Sequence, residues 1–497
     1  MALVALPLLV ALPSSVRAAE PFAECAEPGT TPDLSNPIVA CQRVDSDALG
    51  GQVPFTYFVP EQCTDVDPCP VIYLLHGFGG DYRSMLGTEG SPSAFVQALT
   101  QRPPADPSTS SSPWALSRDG WVEADALRLV LVAPHGRTVP GGHGPSPGLD
   151  SFWIDWNPRY AAGGDSEAYA TPPPRFSTHL VDELIPEIER LLPVIPGAAS
   201  RALDGISLGG YGSYTNGLLR PDLWASVGSI SGAHNFLFTP GVDPVAGPGP
   251  GRVGGDQQGP YVQVPGTSAL VPLSSLPEQM RGFAVALVAL GDPSADGAWY
   301  RGHMARDLAL NARAEIDGEQ VTRWRAFVND AVPRRAEDFG PSYPVAQIFE
   351  DIVLPMNLEM DTAFANLGVA RDFEIHPGLH SGVYWDPWLR GQLEHHAAQM
   401  DGVYGAVEFD YRSVLDQFEV WDWQFAVERE PVEFMHLWDV SCDRLTIQGS
   451  GRVTVTPPAA CGAAPVTVHL GPSGPADEPA GVTGTPAAGW SVTVELG

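Results

Sequence analysis

The stretch Gly205-Ile206-Ser207-Leu208-Gly209 constrains this chain more than any other. It follows an apolar run (Ala202, Leu203, Ile206) and opens onto Gly210-Tyr211-Gly212, a succession that predicts a strand, a sharp turn and a helix. The glycines permit the tight turn, and the turn lifts a serine hydroxyl clear of the sheet at the positive end of a helix. Alone the pentapeptide is weak, because glycine-rich turns beside a serine are common. Its weight comes from context: His76-Gly77-Phe78-Gly79-Gly80 lies upstream, and several carboxylates followed by His380 lie downstream. A serine hydroxyl is a poor nucleophile at its free pKa and needs a base in hydrogen-bond reach and an acid that orients the base. The pattern therefore points to acyl-transfer chemistry at Ser207.

His380 is the expected base. It sits in a Gly378-Leu379-His380-Ser381-Gly382 loop after the last strand of the region, with Tyr384 and Trp385 placed to exclude water. A loop histidine taken singly is more often solvated than catalytic; the position after the last strand reverses that expectation. The chain order serine, acid, histidine fits one of the three familiar triad orders. Between residues 207 and 380 the acids Asp292, Asp330 and Glu350 all qualify. Asp292 and Asp330 each follow an apolar run, whereas Glu350 is expected to open a helix over about 351–367. The residues alone do not choose among them. Donors for the carbonyl oxygen are expected from the N–H of Leu208 and from Phe78 or Gly79 in the loop after Leu75, although a glycine-rich turn there needs no function to explain it. Trp153, Trp156, Tyr384 and Trp385 are the expected walls of a substrate pocket.

Composition narrows the classes further. The net charge of −32 repels phosphate backbones and anionic membranes, which disfavours nucleic-acid binding. All 27 basic residues are arginine, so a P-loop, a Schiff-base lysine and a serine–lysine dyad are excluded. Nothing calls for a metal or an organic cofactor. Six cysteines at 25, 41, 63, 69, 442 and 461 are expected to pair as 25–41, 63–69 and 442–461, although six cysteines permit about fifteen connectivities. Residues 1–18 read as a secretory signal without a basic n-region, with a secreted or cell-envelope location as the expectation.

Val71–Leu75 is a continuous apolar run of the kind strands show when both faces are buried, and Leu127–Ala133 reads as another buried strand. Between them lies a polar insertion over 102–113. From Phe176 a helix carries Leu180, Leu184, Ile188 and Leu191, with Pro186 as a kink point. Further strands are expected around 201–206, 223–230, 283–290, 324–328 and 372–375. Alternating strands and helices predict an α/β fold with a doubly wound, mostly parallel sheet. The glycine- and proline-rich stretch 239–272 reads as a surface excursion, either a lid or a plain insertion. After about residue 400 the pattern changes to strict alternation, as in Trp421, Trp423, Phe425 and Val427 or Val492, Val494 and Leu496. The expected organisation is a signal at 1–18, an N-terminal extension over 19–49, an α/β catalytic domain over 50–400 and a small all-β, sandwich-like domain over 401–497.

These residues resemble the secreted esterases and acyltransferases of the α/β-hydrolase superfamily, a group that includes feruloyl-type and esterase-D-like enzymes and the mycolyltransferases. The resemblance covers roughly residues 50–400. It rests on Leu74–Gly80, on Ser151-Phe152-Trp153-Ile154-Asp155-Trp156, on the turn at Ser207 with Ser229–Ala233 after it, and on His380-Ser381-Gly382-Val383-Tyr384-Trp385. Phe349-Glu350 followed by Asn357 matches the mycolyltransferase pattern for the acid, so the resemblance implies Glu350. Two departures stand out: Gly382 replaces a tryptophan after His-Ser, and His76 begins the loop where mycolyltransferases commonly have aspartate. The leading expectation is a carboxylic-ester hydrolase working through an acyl-enzyme on a small or polymeric ester. The alternatives are transfer of the acyl group to a sugar or cell-envelope lipid hydroxyl, and a non-catalytic surface or carbohydrate-binding protein on the same scaffold.

Overall fold

The computed structural model describes residues 22–32, 34, 39–88, 90–103, 121–144, 147–158, 172–235, 254–256, 259–263, 270–272, 289–290, 297–316, 318–334, 343–400, 407–430, 432–470, 483–485 and 489–496. The signal-like segment, Asp292 and most of 239–272 and 283–290 lie outside them. Within the 239–272 stretch, Gly254–Asp256, Gly259–Gln263 and Leu270–Pro272 form a three-stranded antiparallel sheet.

Eight strands make the central sheet: β1 (Ala40–Ser46), β2 (Gly51–Phe58), β3 (Val71–Leu75), β4 (Val130–Pro134), β5 (Arg201–Gly205), β6 (Ser226–Ile230), β7 (Arg323–Asn329) and β8 (Arg371–His376). Their spatial order is β1-β2-β4-β3-β5-β6-β7-β8, with β1 and β2 antiparallel and all pairs from β4 to β8 parallel. The order and the covering helices define the α/β-hydrolase fold. Every residue of β3, β4, β5 and β6 is buried; β3 and β4 are the unbroken apolar runs expected of strands covered on both faces. The edge strand β1 comes from the segment expected as an extension. Cys25–Cys41 fastens the preceding chain to its start, and Cys63–Cys69 and Cys442–Cys461 also form, which gives the pairing expected from proximity.

Four helices position the site. In α1, whose consecutive segments are Phe176–Thr178, His179–Leu184 and Ile185–Leu191, the middle segment is wound wider than an α-helix directly before Pro186, which accommodates the ring that would otherwise clash with the preceding turn. Helix α2 (Leu208–Leu219) follows the turn at Ser207 and is buried along its whole length. Helix α3 (Tyr343–Leu367) begins earlier than expected, so Glu350 lies two turns inside it instead of opening it. Pro344 near its start suits a first turn, where no N–H is needed. Helix α4 (Gly382–Gln399) follows the histidine loop.

The C-terminal region supplies five strands of a seven-stranded antiparallel sheet and all of a four-stranded one, and the two sheets face each other across their own apolar core, including Trp423, Phe425, Leu445, Ile447, Val453 and Val455. Trp421 is not part of the alternation. With Asp422 it forms the tight turn between Gln417–Val420 and Trp423–Glu428, and both residues have positive φ. The hairpin Ala314–Ile316 and Glu319–Gln320 supplies the other two strands of the seven-stranded sheet, so pairing crosses residue 400. The buried side chain of Asn311 donates to Leu218 O at the end of α2 and to Arg412 O in the adjoining sheet.

Helix α4 is fixed to the sheet by a pair with no exposed surface: His396 Nε2 lies 3.0 Å from Asp204 Oδ2 on β5, and its Nδ1 lies 2.9 Å from Ser226 Oγ on β6. Asp204 Oδ1 also accepts the Gly205 N–H at 2.7 Å. Removing the carboxylate leaves two buried polar groups unpartnered, so Asp204→Ala is expected to destabilise the fold by about 3 kcal/mol or more. Urea unfolding measures this as a lowered midpoint at unchanged slope; a loss below about 1 kcal/mol would mean that the pair does not anchor α4.

Candidate active site

Ser207 stands between β5 and α2 with φ 57° and ψ −114°, a strained geometry for a residue with a side chain. Two close approaches force the turn. A Cβ on Gly209 would stand 2.0 Å from the Leu75 carbonyl oxygen, and one on Gly205 would stand 2.3 Å from the Gly209 backbone. The Ile206 N–H donates to Leu75 O and the Ser207 N–H to Ile230 O, which wedges the turn between the ends of β3 and β6. This is the end of a parallel sheet where ligand sites form.

His380 lies in the loop between β8 and α4. The loop is held from three sides: Asn329 Nδ2 donates to Leu379 O, the Gly378 N–H donates to Asp330 Oδ1, and the His380 N–H donates to Ala346 O in α3. The His380 ring meets Trp385 edge-on at a centroid distance of 4.9 Å.

The carboxylate beside the histidine is that of Glu350, with Oε2 2.7 Å from His380 Nδ1. It is fully buried, and its Oε1 accepts the Asn329 N–H at 2.7 Å and the Ser231 hydroxyl at 2.8 Å. A carboxylate only accepts, so Nδ1 carries the proton and Nε2 is left as the basic nitrogen. Ser231, itself at positive φ, takes the Trp385 Nε1–H at 3.1 Å, which joins the pocket wall to the acid. Asp330 makes no contact with the histidine ring. Its oxygens accept from Gly378 and Val332 and pair with Arg334, so it shapes the loop instead. Asp292 is outside the described residues.

Of the expected donors to a carbonyl oxygen, Leu208 begins α2, where the first N–H groups have no acceptor within the helix. Gly79 is engaged otherwise: its N–H donates to Asp150 Oδ1 at 2.9 Å. Phe78 lines the same cavity as Ser207 and His380. Gly77 allows the loop to come this near, since a Cβ there would stand 3.3 Å from Ser207 Cβ. His76 does not face substrate. It is buried, Nε2 accepts the Gly136 N–H and Nδ1 lies 2.9 Å from Gly77 O, and burial pushes its pKa down to about 4, so it is a neutral brace for the loop.

Three of the four expected pocket aromatics are core residues. Trp153 is buried under the loop, donates Nε1–H to His76 O and packs where a Cβ on Gly212 or Gly136 would collide with it. Trp156 is buried with Nε1–H donated to Ser151 O, and Tyr384 is fully buried against Gly378. Their rings brace the site from behind, and only Trp385 reaches the cavity. That cavity, about 300 Å³, is bordered by Ser207, His380, Leu208 and Phe78 and by an apolar wall that the sequence reading missed: Met85, Phe152, Phe349, Ile352, Val353 and Met356. Helical spacing from Glu350 was the available signal. Glu350, Val353, Asn357, Met360 and Phe364 form one buried stripe of α3, and a carboxylate on an apolar stripe is anomalous unless it has partners. Asp150 and the Ser231 contact had no local sequence signal.

The described residues hold no group of three or more His, Cys, Asp or Glu arranged for a metal ion, and none of their helices is long and apolar enough to cross a membrane.

Comparison with known proteins finds that residues 147–344 match the family model described as putative esterase. No curated protein matches the chain. Among solved structures, a ferulic acid esterase is 17% identical over 72% of this chain and 97% of its own, with a TM-score of 0.41. An S-formylglutathione hydrolase from Agrobacterium tumefaciens is 15% identical over 75% and 98%, with a TM-score of 0.44. MPT51 from Mycobacterium tuberculosis is 14% identical over 73% and 98%, with a TM-score of 0.40. The fold is that of the α/β hydrolases, and the matched segment, which carries the turn at Ser207, is similar to the putative esterases.

Two candidate acids can be separated by kinetics. Glu350→Gln is expected to lower kcat on a p-nitrophenyl ester by roughly 10³–10⁴, the loss typical when the histidine is left in the wrong tautomer. Asp330→Asn is expected to cost less than about tenfold, because an amide oxygen still accepts the Gly378 N–H. The reverse ranking would transfer the role to Asp330.

Proposed function

We propose that the protein is a secreted serine carboxylic-ester hydrolase with Ser207 as nucleophile, His380 as general base and then acid, and Glu350 as the carboxylate that orients and stabilises the imidazolium. The observation that carries this reading is the buried Glu350–His380 contact, 2.7 Å long, bordering the same cavity as the strained Ser207. Neutral imidazole at Nε2 removes the hydroxyl proton as Oγ attacks the acyl carbon. Negative charge gathers on the carbonyl oxygen, where the Leu208 N–H at the start of α2 and the Phe78 N–H are the proposed donors. As the tetrahedral species collapses, His380 returns the proton to the leaving alcohol. Water then enters by the same route, the histidine takes its proton, and the acid is released from Ser207.

Oxidation-dependent pairing of all six cysteines supports the proposed secreted location. Transfer to an alcohol acceptor uses the same acyl-enzyme and differs in the second step only. Product analysis with glycerol or trehalose present separates the two; free acid as the sole product is expected.

Ser207→Ala should retain the fold by circular dichroism and lose p-nitrophenyl-ester turnover by roughly 10⁴–10⁶. A variant with wild-type turnover would remove Ser207 from the chemistry.

A further inference from the structure

The cavity beside Ser207 states more than the reaction class. Among its lining side chains the polar atoms outside the proposed triad are Ser84 Oγ and Trp385 Nε1. Ser84 Oγ is held by Asp81 and Trp385 Nε1 by Ser231, so neither is free for a substrate group. The rest is aliphatic, thioether and phenyl surface, and among the described residues no charged one other than His380 borders it. A carboxylate or a phenolic hydroxyl buried there would lose its water without gaining a partner. The two methionines, Met85 and Met356, supply flexible, polarizable surface that adapts to a mobile chain. At about 300 Å³ the space is at the small end of ligand clefts, enough for one arm of an ester and not for both.

The wall and the acid share one helix. Ile352, Val353 and Met356 lie within two turns of Glu350 on α3, so the register that sets the acid against His380 also sets the depth of the cavity.

We infer that this cavity is an acyl pocket for an unbranched, uncharged aliphatic chain of medium length, of hexanoyl to octanoyl size, with Ile352, Val353 and Met356 as the residues that set chain length. This rests on the proposed esterase reading. It separates the chain from enzymes of hydroxyaryl esters, whose acyl group needs a polar partner at its far end.

The test is kcat/KM for p-nitrophenyl acetate, butyrate, hexanoate and octanoate, with methyl ferulate and a p-nitrophenyl ester of a carboxylate-ended acyl group as controls. Each methylene buried in the pocket is expected to raise kcat/KM by about fourfold until the pocket is full, the equivalent of roughly 0.8 kcal/mol. The hexanoate or octanoate should be the best substrate and both controls poor. In Ile352→Trp the ratio of octanoate to acetate kcat/KM should fall at least about tenfold; in Met356→Ala the optimum should move to longer chains. A profile that is flat or falls with chain length, or a preference for methyl ferulate, would overturn the acyl-pocket inference while leaving ester hydrolysis in place. Absence of turnover on every ester would instead remove the esterase reading on which it stands.

Discussion

A carboxylate without exposed surface must be surrounded by donors, and the architecture of this protein around its site follows from how Glu350 meets that demand. Its three partners come from three separate segments: Ser231 just after β6, Asn329 at the end of β7 and His380 in the loop beyond β8. Satisfying one buried anion therefore brings the carboxyl ends of these strands and the helix α3 into register. The same contact fixes the protonated nitrogen of the imidazole, which leaves the other available for chemistry. In the proposed mechanism, stability and catalysis use one interaction.

Backbone strain is also found in this place. Phe152, Trp153, Ser207 and Ser231 all hold positive φ, and all lie around the cavity or directly behind it. Such conformations persist only when the surroundings determine them, and the surroundings do so by close packing: glycine at 205, 209 and 212 admits Leu75 and Trp153 where any side chain would collide. The buried aromatics under the site act as a rigid bed for the strained turns. Helix α4 is tied down at its far end by His396 and Asp204, so the histidine loop hangs between two fixed elements.

The sheet was legible because strands buried on both faces announce themselves as apolar runs, and Val71–Leu75 and Val130–Pro134 are such runs. Ser207 was legible because its constraint is local: a turn that only glycine permits leaves its pattern within five residues. The acid was harder. Asp330 and Glu350 both end up beside the histidine loop, and what separates them is which group each oxygen accepts from, a matter of tertiary contact over more than twenty residues. Trp153, Trp156 and Tyr384 were misread as pocket walls because an aromatic near a catalytic motif looks the same in sequence whether it faces substrate or props the motif from below. The difference lies in where their polar atoms go: the indole N–H groups of both tryptophans end on backbone carbonyls inside the core.

The central claim is that one serine, and no other, is raised to nucleophile by this arrangement. Incubation of the intact protein with a fluorophosphonate, followed by digestion and fragment mass analysis, measures that directly, since the reagent reacts with an activated serine and leaves its mass there. The account predicts a single adduct, on Ser207, that disappears in Glu350→Gln or forms far more slowly. An unlabelled protein, or an adduct on a different serine, would contradict it.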